Sequence, residues 1–253
     1  MKEIIDCTTK YPIIDWMGYK WELDMPGSDK IHPDNPFRYY HSDSIIKFND
    51  DLLLSVFKIP RTVKRWDGKS YDSEYSCGLI RSTECFSYGV YTLDCILPKG
   101  RNLHSAFWLT NEKTWPPEID IFEGYSNIFG GYKTFNVKPH KFPPRCGYSV
   151  ETNVHYGTEN HLQIGPNGCS TNVLINPTNE INRYTLIWTP EYIHISYNNT
   201  LVRYVDERSN NELFKQLNKH PWMYVIINNI INKNKNAGLH VPLILKHFNY
   251  TKL

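Results

Sequence analysis

Apolar and polar residues alternate along most of the chain, and this alternation predicts β-strands. Successive side chains of a strand point to opposite faces of a sheet, so each alternating segment would direct its apolar residues to one side. Short gaps with turn residues separate neighbouring segments, as at Thr189-Pro190-Glu191 and Asn198-Asn199, which indicates hairpins. The clearest alternating segments are residues 19–25, 44–50, 52–59, 87–97, 183–189, 192–197 and 200–205.

One segment departs from the alternation. Within residues 206–219, Leu213, Phe214 and Leu217 recur at helical spacing, which predicts a helix of about three turns. Many strands with one short helix are typical of a β-sandwich, in which two sheets share a core. No linker, low-complexity run or internal repeat divides the 253 residues, so we expect a single domain over residues 1–253.

The charge pattern argues against two classes of partner. The formal net charge is +2, and Lys and Arg are scattered rather than clustered, so we expect no nucleic-acid partner. No stretch approaches eighteen consecutive apolar residues, and residues 1–20 lack the features of a signal peptide, so we expect no membrane partner. The aromatic content of 14% favours a groove whose rings stack on flat apolar ligand faces, such as those of sugars.

The six cysteines are dispersed without a C-x-x-C motif or a Cys/His metal spacing, which argues against a zinc site. Two interpretations of them remain. We favour buried thiols that act as small apolar side chains, and the alternative is at least one disulfide, first of all between Cys146 and Cys169. The cysteines are Cys7, Cys77, Cys85, Cys95, Cys146 and Cys169.

An acidic cluster interrupts an apolar strand-like segment, WPPEIDIFEGYS, at residues 115–126. Residues i and i+2 of a strand share a face, so Glu118 and Asp120 point the same way. Ile119 and Ile121 then point to the opposite face, toward a core. The segment therefore predicts a strand with one acidic face and one buried face.

Glu123 has the wrong spacing for that acidic face. It lies five positions after Glu118, and a regular strand would bury its carboxylate in the core. Because burying an unpaired carboxylate is costly, we predict a β-bulge around Ile121-Phe122 that returns Glu123 to the face of the other two acids.

Two glutamates flanking a shorter aspartate are suited to chemistry at a glycosidic bond. Their Cα atoms would lie roughly 13 Å apart over four strand steps. Side chains that lean together over the aspartate could approach the roughly 5–5.5 Å carboxyl separation of a retaining glycosidase. One glutamate would then act as nucleophile and the other as acid and base, with the aspartate holding a proton or a hydrogen bond.

The segment EIDIFE, residues 118–123, resembles the E-x-D-x-x-E signature of family 16 glycoside hydrolases. Residues 77–110 resemble the family's run from S-G-x-I through F-x-Y-G to an x-A-x-W-L strand. Residues 183–199 resemble its Y-x-x-x-W-T-P-x-x-I hairpin, and residues 221–231 its penultimate core strand. The resemblance covers about residues 19–231 and implies an all-β fold, a β-jelly-roll sandwich of two antiparallel sheets with a concave substrate cleft.

The resemblance also implies roles for individual residues. Glu118 matches the nucleophile, Asp120 its helper and Glu123 the general acid/base. Trp108 falls on the substrate-stacking tryptophan and Asn228 on the asparagine of a late strand. This division of roles would require Glu123 to have a raised pKa and Glu118 to be ionised.

Further candidate contacts each have two interpretations. Trp115 and Tyr125 flank the acidic strand and line the groove or pack beside it. His155 either lines the cleft, as the resemblance suggests, or is a hydrogen-bonded strand histidine. A basic loop is either solvated or binds sulfate or carboxylate groups of an acidic polysaccharide, and its charged residues are Lys133, Lys138, Lys141 and Arg145.

Together these features predict an endo-acting, retaining glycoside hydrolase that cleaves β-1,3 or β-1,4 linkages in a polysaccharide. The substrate would be a β-glucan such as laminarin, or a β-galactan of algal or mucin type. The alternative is a non-catalytic carbohydrate-binding β-sandwich, which would retain Trp108 but would not need both glutamates.

The resemblance bears on cofactors and location as well. Lys246 stands near the position where many family members have an aspartate of a structural calcium site, so we expect no structural calcium. We also expect no other metal and no cofactor. We expect a monomer whose partner is a polysaccharide. The resemblance suggests a secreted or periplasmic protein, although the chain shows no signal peptide.

Overall fold

The computed structural model describes residues 4–6, 13–23, 31, 35–65, 67–100, 102–111, 113–125, 150–157, 160–164, 177–231 and 242–253. Strands dominate these residues, and one α-helix lies between the eighteenth and nineteenth strands. The elements in chain order are β1 (Ile4–Asp6), β2 (Ile14–Trp16), β3 (Tyr19–Glu22), β4 (Arg38–Tyr40), β5 (Ile45–Phe48), β6 (Asp51–Leu54), β7 (Val56–Phe57), β8 (Arg61–Lys64), β9 (Ser70–Ser73), β10 (Tyr75–Ser82), β11 (Gly89–Ile96), β12 (Leu103–Thr110), β13 (Glu118–Tyr125), β14 (Glu151–Tyr156), β15 (Leu162–Gln163), β16 (Asn182–Trp188), β17 (Tyr192–Tyr197), β18 (Thr200–Asp206), α1 (Asn211–Lys219), β19 (Tyr224–Ile231) and β20 (Leu243–Lys252).

Two large sheets form a sandwich. The ten-stranded sheet has the order β15-β14-β13-β12-β19-β10-β3-β2, and β4 and β7 also pair with β10. The seven-stranded sheet has the order β18-β17-β16-β11-β20-β6-β5. Pairing within these sheets is antiparallel except between β4 and β10, and a small sheet β1-β8-β9 lies outside both. The predicted β-jelly-roll sandwich with one short helix is confirmed.

The core lies between the inner faces of the two large sheets. In β11, Tyr91, Leu93 and Cys95 are buried while the residues between them are partly exposed, which is the alternation expected of a strand with one inner face. They join Phe107 and Phe122 of the ten-stranded sheet in one apolar cluster. Each such side chain contributes about 1.5–3 kcal/mol by leaving water. The outer face of the ten-stranded sheet carries a second, smaller apolar cluster, with Trp108 packed against it.

The segment predicted as one strand over residues 52–59 divides at Ser55. Residues before Ser55 belong to β6 in the seven-stranded sheet, and residues after it belong to β7 in the ten-stranded sheet. The Ser55 amide donates to the Ser44 carbonyl at 2.7 Å, and Gly78 N–H donates to the Ser55 carbonyl at 2.9 Å. Since both backbone groups of Ser55 bond outside a regular ladder, the chain changes sheets there.

The helix begins later than residue 206. Asn210 is its N-cap, because the Asn210 side chain accepts a hydrogen bond from Leu213 N–H at 3.1 Å. The preceding Asp206 and Ser209 bond each other in a turn, so the first predicted helical turn does not form. The predicted apolar face is correct, since Leu213, Phe214 and Leu217 are all buried.

The structure tests the predictions about cysteines and about the membrane only for the described residues. Cys77 and Cys95 are buried free thiols, Cys85 is half-buried, and burial raises the pKa of Cys77 to about 11. Cys146 and Cys169 lie outside the described residues. Among the described residues, no helix has the length and apolar character to cross a membrane. The single domain stays a prediction.

Candidate active site

A bulge interrupts β13 where the sequence predicts it. On the β12 side, Phe107 pairs with Phe122 and Trp108 pairs with Asp120, so Ile121 is an extra residue with no partner in the register. One additional residue in one strand of an antiparallel pair defines a β-bulge. The predicted bulge around Ile121-Phe122 is confirmed.

The pairing on the other side of β13 shows the same register shift. Asp120 pairs with Asn153, and Glu123 pairs with Glu151, so two residues of β13 face one of β14. Residues directly opposite in an antiparallel pair share a face of the sheet. The bulge therefore lets Phe122 remain fully buried while Glu123 joins Asp120 on the outer face.

A tyrosine from the opposite sheet supports the bulge. The hydroxyl of Tyr197, in β17, donates to the Ile121 carbonyl at 2.9 Å and lies 3.2 Å from the Glu151 carbonyl. A bulge leaves backbone groups outside the ladder, and a buried carbonyl without a donor is costly. Tyr197 thus stabilises the irregular backbone across the core. Sequence reasoning missed this contact.

Glu118 lies at the start of β13 and its side chain is 15% exposed. The Trp115 indole N–H donates to Glu118 Oε2 at 3.0 Å, and His155 Nε2 lies 3.6 Å from Glu118 Oε1. Burial and the negative charge of Asp120 raise the pKa of Glu118 to about 8, against the Trp115 hydrogen bond, which lowers it.

Asp120 is the most buried of the three acids, with 4% of its surface exposed. Its Oδ2 lies 3.2 Å from His155 Nε2. Burial, followed by the charge of Glu123, raises the pKa of Asp120 well above its ordinary value, although Arg203 opposes the rise. These surroundings favour the neutral form of the Asp120 carboxyl group over the charged form.

Glu123 has different neighbours. The Tyr125 hydroxyl donates to Glu123 Oε1 at 2.7 Å, and His104 Nε2 lies 3.3 Å from the same oxygen. The His104 ring stacks on the Tyr125 ring at 4.1 Å and 13°. Burial alone would raise the pKa of Glu123, but His104 and Tyr125 outweigh it and lower the pKa below the ordinary value.

The expected division of pKa values is therefore wrong for the free protein. The sequence-based hypothesis required a raised pKa at Glu123 and an ionised Glu118. The structure has the raised pKa at Glu118 and the lowered pKa at Glu123, because His104 and the Tyr125 hydroxyl lie beside Glu123 while Asp120 lies beside Glu118. Of the two glutamates, Glu118 is therefore the one that favours its protonated form in the free site.

Trp108 and Asn228 contact each other on the outer face. The Trp108 indole N–H donates to Asn228 Oδ1 at 2.8 Å. Trp108 is partly buried against an apolar cluster that includes Leu79 and Ile226. Asn228 is 4% exposed, so the acceptor that orients the Trp108 ring is itself held in a buried position.

Trp115 and His155 lie on the other side of β13. Trp115 is 57% exposed, and its ring lies 5.9 Å from that of His155 and 4.8 Å from that of His161. His155 Nδ1 is 2.7 Å from His161 Nε2. The structure thus brings every predicted site residue onto the outer face around β13, with Asn228 beneath Trp108.

Sequence reasoning missed two histidines of this site. His104 precedes Trp108 by four residues in the same strand, and an even spacing predicts a shared face, so the signal was present. His161 follows His155 by six residues across a turn at Gly157, whose φ is +96°. No strand periodicity connects those two, so the sequence held no comparable signal. The basic-loop residues Lys133, Lys138, Lys141 and Arg145 lie outside the described residues.

Comparisons with known proteins agree with this fold. The family model described as glycosyl hydrolases family 16 matches residues 34–240. LamAcat from Zobellia galactanivorans has a similar structure, with a TM-score of 0.66, 16% identity and coverage of 97% of this chain and 98% of that chain. β-Agarase A from the same organism has a TM-score of 0.65 and 18% identity, over 92% and 82% of the two chains.

A third similar structure is described as an endo-acting O-glycanase that initiates mucin breakdown, from prominent members of the human gut microbiota. Its TM-score is 0.67 at 17% identity, over 98% of this chain and 88% of that chain. No curated protein sequence matches the chain. At these identities the structural likeness shows the fold, while the family model covers more than half of the chain. This chain belongs to family 16 of the glycosyl hydrolases.

Proposed function

We propose that this glycoside hydrolase is an endo-acting enzyme that cleaves β-linkages inside a polysaccharide with retention of configuration. The observation that supports this most directly is the bulge in β13, which brings Glu118, Asp120 and Glu123 to one face of the sheet. Two carboxyl groups on one strand, with only a shorter acid between them, suit a double displacement in which the protein itself is the first acceptor.

The proposed roles follow the position of each acid in the family motif. In the first step Glu118 attacks the anomeric carbon, and the leaving oxygen takes a proton from Glu123. In the second step Glu123 removes a proton from water, and the resulting oxygen displaces Glu118 from the anomeric carbon. Asp120 holds a proton beside Glu118 and so limits the repulsion between neighbouring carboxylates.

The proton distribution of the free site has a consequence for this mechanism. The reactive form has Glu118 ionised and Glu123 protonated, whereas the free site favours the opposite arrangement. Both arrangements contain the same number of protons, so a pH profile reports the pair and does not assign the roles. Asp120, whose pKa is raised, can hold a proton of its own while Glu118 ionises.

Two tryptophans are the proposed sugar-stacking surfaces. Trp115 is exposed on the Glu118 side of the site, and Trp108 pairs with Asp120 on the other. An indole ring that is held by a hydrogen bond from its N–H group presents a defined face to a sugar. Glu118 accepts this hydrogen bond from Trp115, and Asn228 accepts it from Trp108. Tyr125 stacks on His104, so we assign it to the support of Glu123.

The proposed substrate is a β-1,3-glucan or a β-galactan of algal or mucin type. The bulged motif resembles the motif of members that act on these polymers. Similar structures include one in complex with laminaritriose and laminaritetraose and one in complex with oligoagarose. A reducing-sugar screen with laminarin, agarose, porphyran, carrageenan and mucin O-glycans tests the choice, and internal cleavage should yield oligosaccharides before monosaccharide.

Covalent trapping tests the roles. An activated 2-deoxy-2-fluoro β-glycoside of the sugar found in the screen should accumulate as a glycosyl ester on Glu118, identified by mass spectrometry of proteolytic peptides. The control is Glu180→Gln, at an exposed carboxylate, which should trap to the same extent. An adduct on Glu123 would reverse the two roles. Turnover with an inverted first product would exclude retention.

A further inference from the structure

Three lone-pair atoms converge between β13 and β14. They are Glu118 Oε1, Asp120 Oδ2 and His155 Nε2, and one such atom from each residue lies within 4.8 Å of the other two. Among the described residues, Asp120 Oδ2 has no hydrogen-bond donor although it is buried. A buried acceptor directed at two other acceptors requires a proton or a cation between them.

The hydrogen-bond network assigns the tautomer of His155. Val154 N–H donates to Asn153 Oδ1 at 2.9 Å, which fixes the orientation of the Asn153 amide. Asn153 Nδ2, a donor, then lies 3.1 Å from His155 Nε2, so Nε2 is an acceptor. The hydrogen of the neutral ring is on Nδ1 and is donated to His161 Nε2 at 2.7 Å. His155 Nε2 is therefore the unprotonated nitrogen, and its one lone pair accepts the Asn153 hydrogen bond beside the two acids.

Two of the three spacings are close to those of a metal coordination sphere. Zinc bonds of about 2.0–2.2 Å at tetrahedral angles place neighbouring ligand atoms roughly 3.3 Å apart. His155 Nε2 lies 3.2 Å from Asp120 Oδ2 and 3.6 Å from Glu118 Oε1. One imidazole nitrogen and two carboxylate oxygens are also a ligand set that Zn²⁺ accepts.

Two of the three ligands are oriented by a second residue. Glu118 is fixed through its other oxygen by the Trp115 indole, and His155 through its other nitrogen by His161. Metal-binding histidines almost always donate their second N–H in this way. The turn at Gly157 places His161 there, and it needs glycine because φ is +96° and a Cβ would lie 2.1 Å from the Asn160 carbonyl oxygen.

We propose that Glu118, Asp120 and His155 form a binding site for a divalent ion of the zinc type, and that the ion inhibits hydrolysis. An ion at this point would occupy the Glu118 oxygen that must attack the anomeric carbon. It would also take the lone pair that Asn153 Nδ2 uses, so that hydrogen bond must be released. The inhibitory consequence rests on the proposed function, whereas the binding does not.

Calorimetric titration of the full chain with ZnCl₂ in the absence of sugar tests the binding, and Co²⁺ absorption provides a second signal. We expect saturable binding of one ion, which His155→Ala and Glu118→Gln each abolish. His161→Ala should weaken binding about 10–100-fold, as loss of a ligand-orienting group does. The control is His247→Ala, an exposed histidine in β20 of the other sheet, and it should bind as the wild type does.

Equal binding by the wild type, His155→Ala and Glu118→Gln would overturn the proposal, as would no saturable binding at all. If His155→Ala does not fold by circular dichroism, Glu118→Gln is decisive because its side chain is nearly isosteric. Zn²⁺ should also reduce hydrolysis of the polysaccharide found in the screen, and EDTA should restore it. Binding without any hydrolysis would contradict the proposed function only, and hydrolysis without binding would contradict this inference only.

Discussion

Replacement of Glu118 by glutamine should stabilise the protein at alkaline pH. Burial and the charge of Asp120 raise the pKa of Glu118 from its ordinary 4.5 to about 8. The folded protein therefore binds this proton more tightly than the unfolded chain does. Below pH 4.5 both states are protonated and the carboxyl group has no pH-dependent effect on stability.

The effect appears as the pH rises from 4.5 to 8. In this window the unfolded chain has released the proton and the folded protein retains it, so the free energy of unfolding falls with pH. Each pKa unit corresponds to about 1.36 kcal/mol, so the rise to about 8 gives roughly 5 kcal/mol as an upper bound. Because the charge of Asp120 contributes to this rise and Asp120 titrates as well, we expect a difference below this bound.

Urea unfolding followed by tryptophan fluorescence at pH 5, 7 and 9 measures this difference. The variant minus wild-type free energy of unfolding should become more positive with pH and then level off above pH 8. Glu180→Gln, at an exposed carboxylate, is the matched control and should follow the wild-type curve. Parallel curves for Glu118→Gln and the wild type from pH 5 to pH 9 would refute the assigned burial and charge coupling.

Four further predictions concern catalysis. Glu118→Ala and Glu123→Ala should each reduce kcat by several orders of magnitude while circular dichroism shows an intact fold. Azide should partly restore the activity of one of the two variants. Near-wild-type turnover in both variants would favour the alternative of a non-catalytic carbohydrate-binding module. Proton NMR of the first product from a β-linked substrate should show the β-anomer before mutarotation, and an initial α-anomer would exclude Glu118 as nucleophile. His104→Ala should raise the pKa of Glu123 and so move the acidic limb of the kcat/KM profile to higher pH. An unchanged acidic limb would show that His104 does not lower the pKa of Glu123. Tyr197→Phe should cost about 1 kcal/mol of stability and lower kcat through the bulge, and unchanged kcat would show that the bulge persists without this hydrogen bond.

Several features were predictable because they depend on local physical chemistry. Strands over residues 192–197 and 200–205 follow from alternation, and the hairpin between them follows from Asn198 and Asn199, which both adopt positive φ. The bulge in β13 was predictable for an energetic reason: the odd spacing of Glu123 would otherwise bury a carboxylate in the core. The shared outer face of the three acids follows from that one condition.

Other features depend on groups far apart in the chain. The lowered pKa of Glu123 comes from His104, nineteen positions away across a strand pair, together with Tyr125 in β13 itself. The hydroxyl that stabilises the bulge comes from Tyr197 in the opposite sheet, seventy-six positions from Ile121. No short-range pattern in the sequence indicates such contacts.

The sequence by itself determined the strands, the sandwich and the placement of Glu118, Asp120 and Glu123 on one face, because side-chain alternation and the cost of burying charge act within a few residues. Only the tertiary structure decided which of these acids is protonated in the free site. A carboxyl pKa is set by desolvation and by the nearest charges and donors, and these arrive from β12, β14 and the opposite sheet. The pairing of β13 with β14 also places His155 beside Glu118 and Asp120, and His161 lies beside His155. The proposed cation site depends on these contacts.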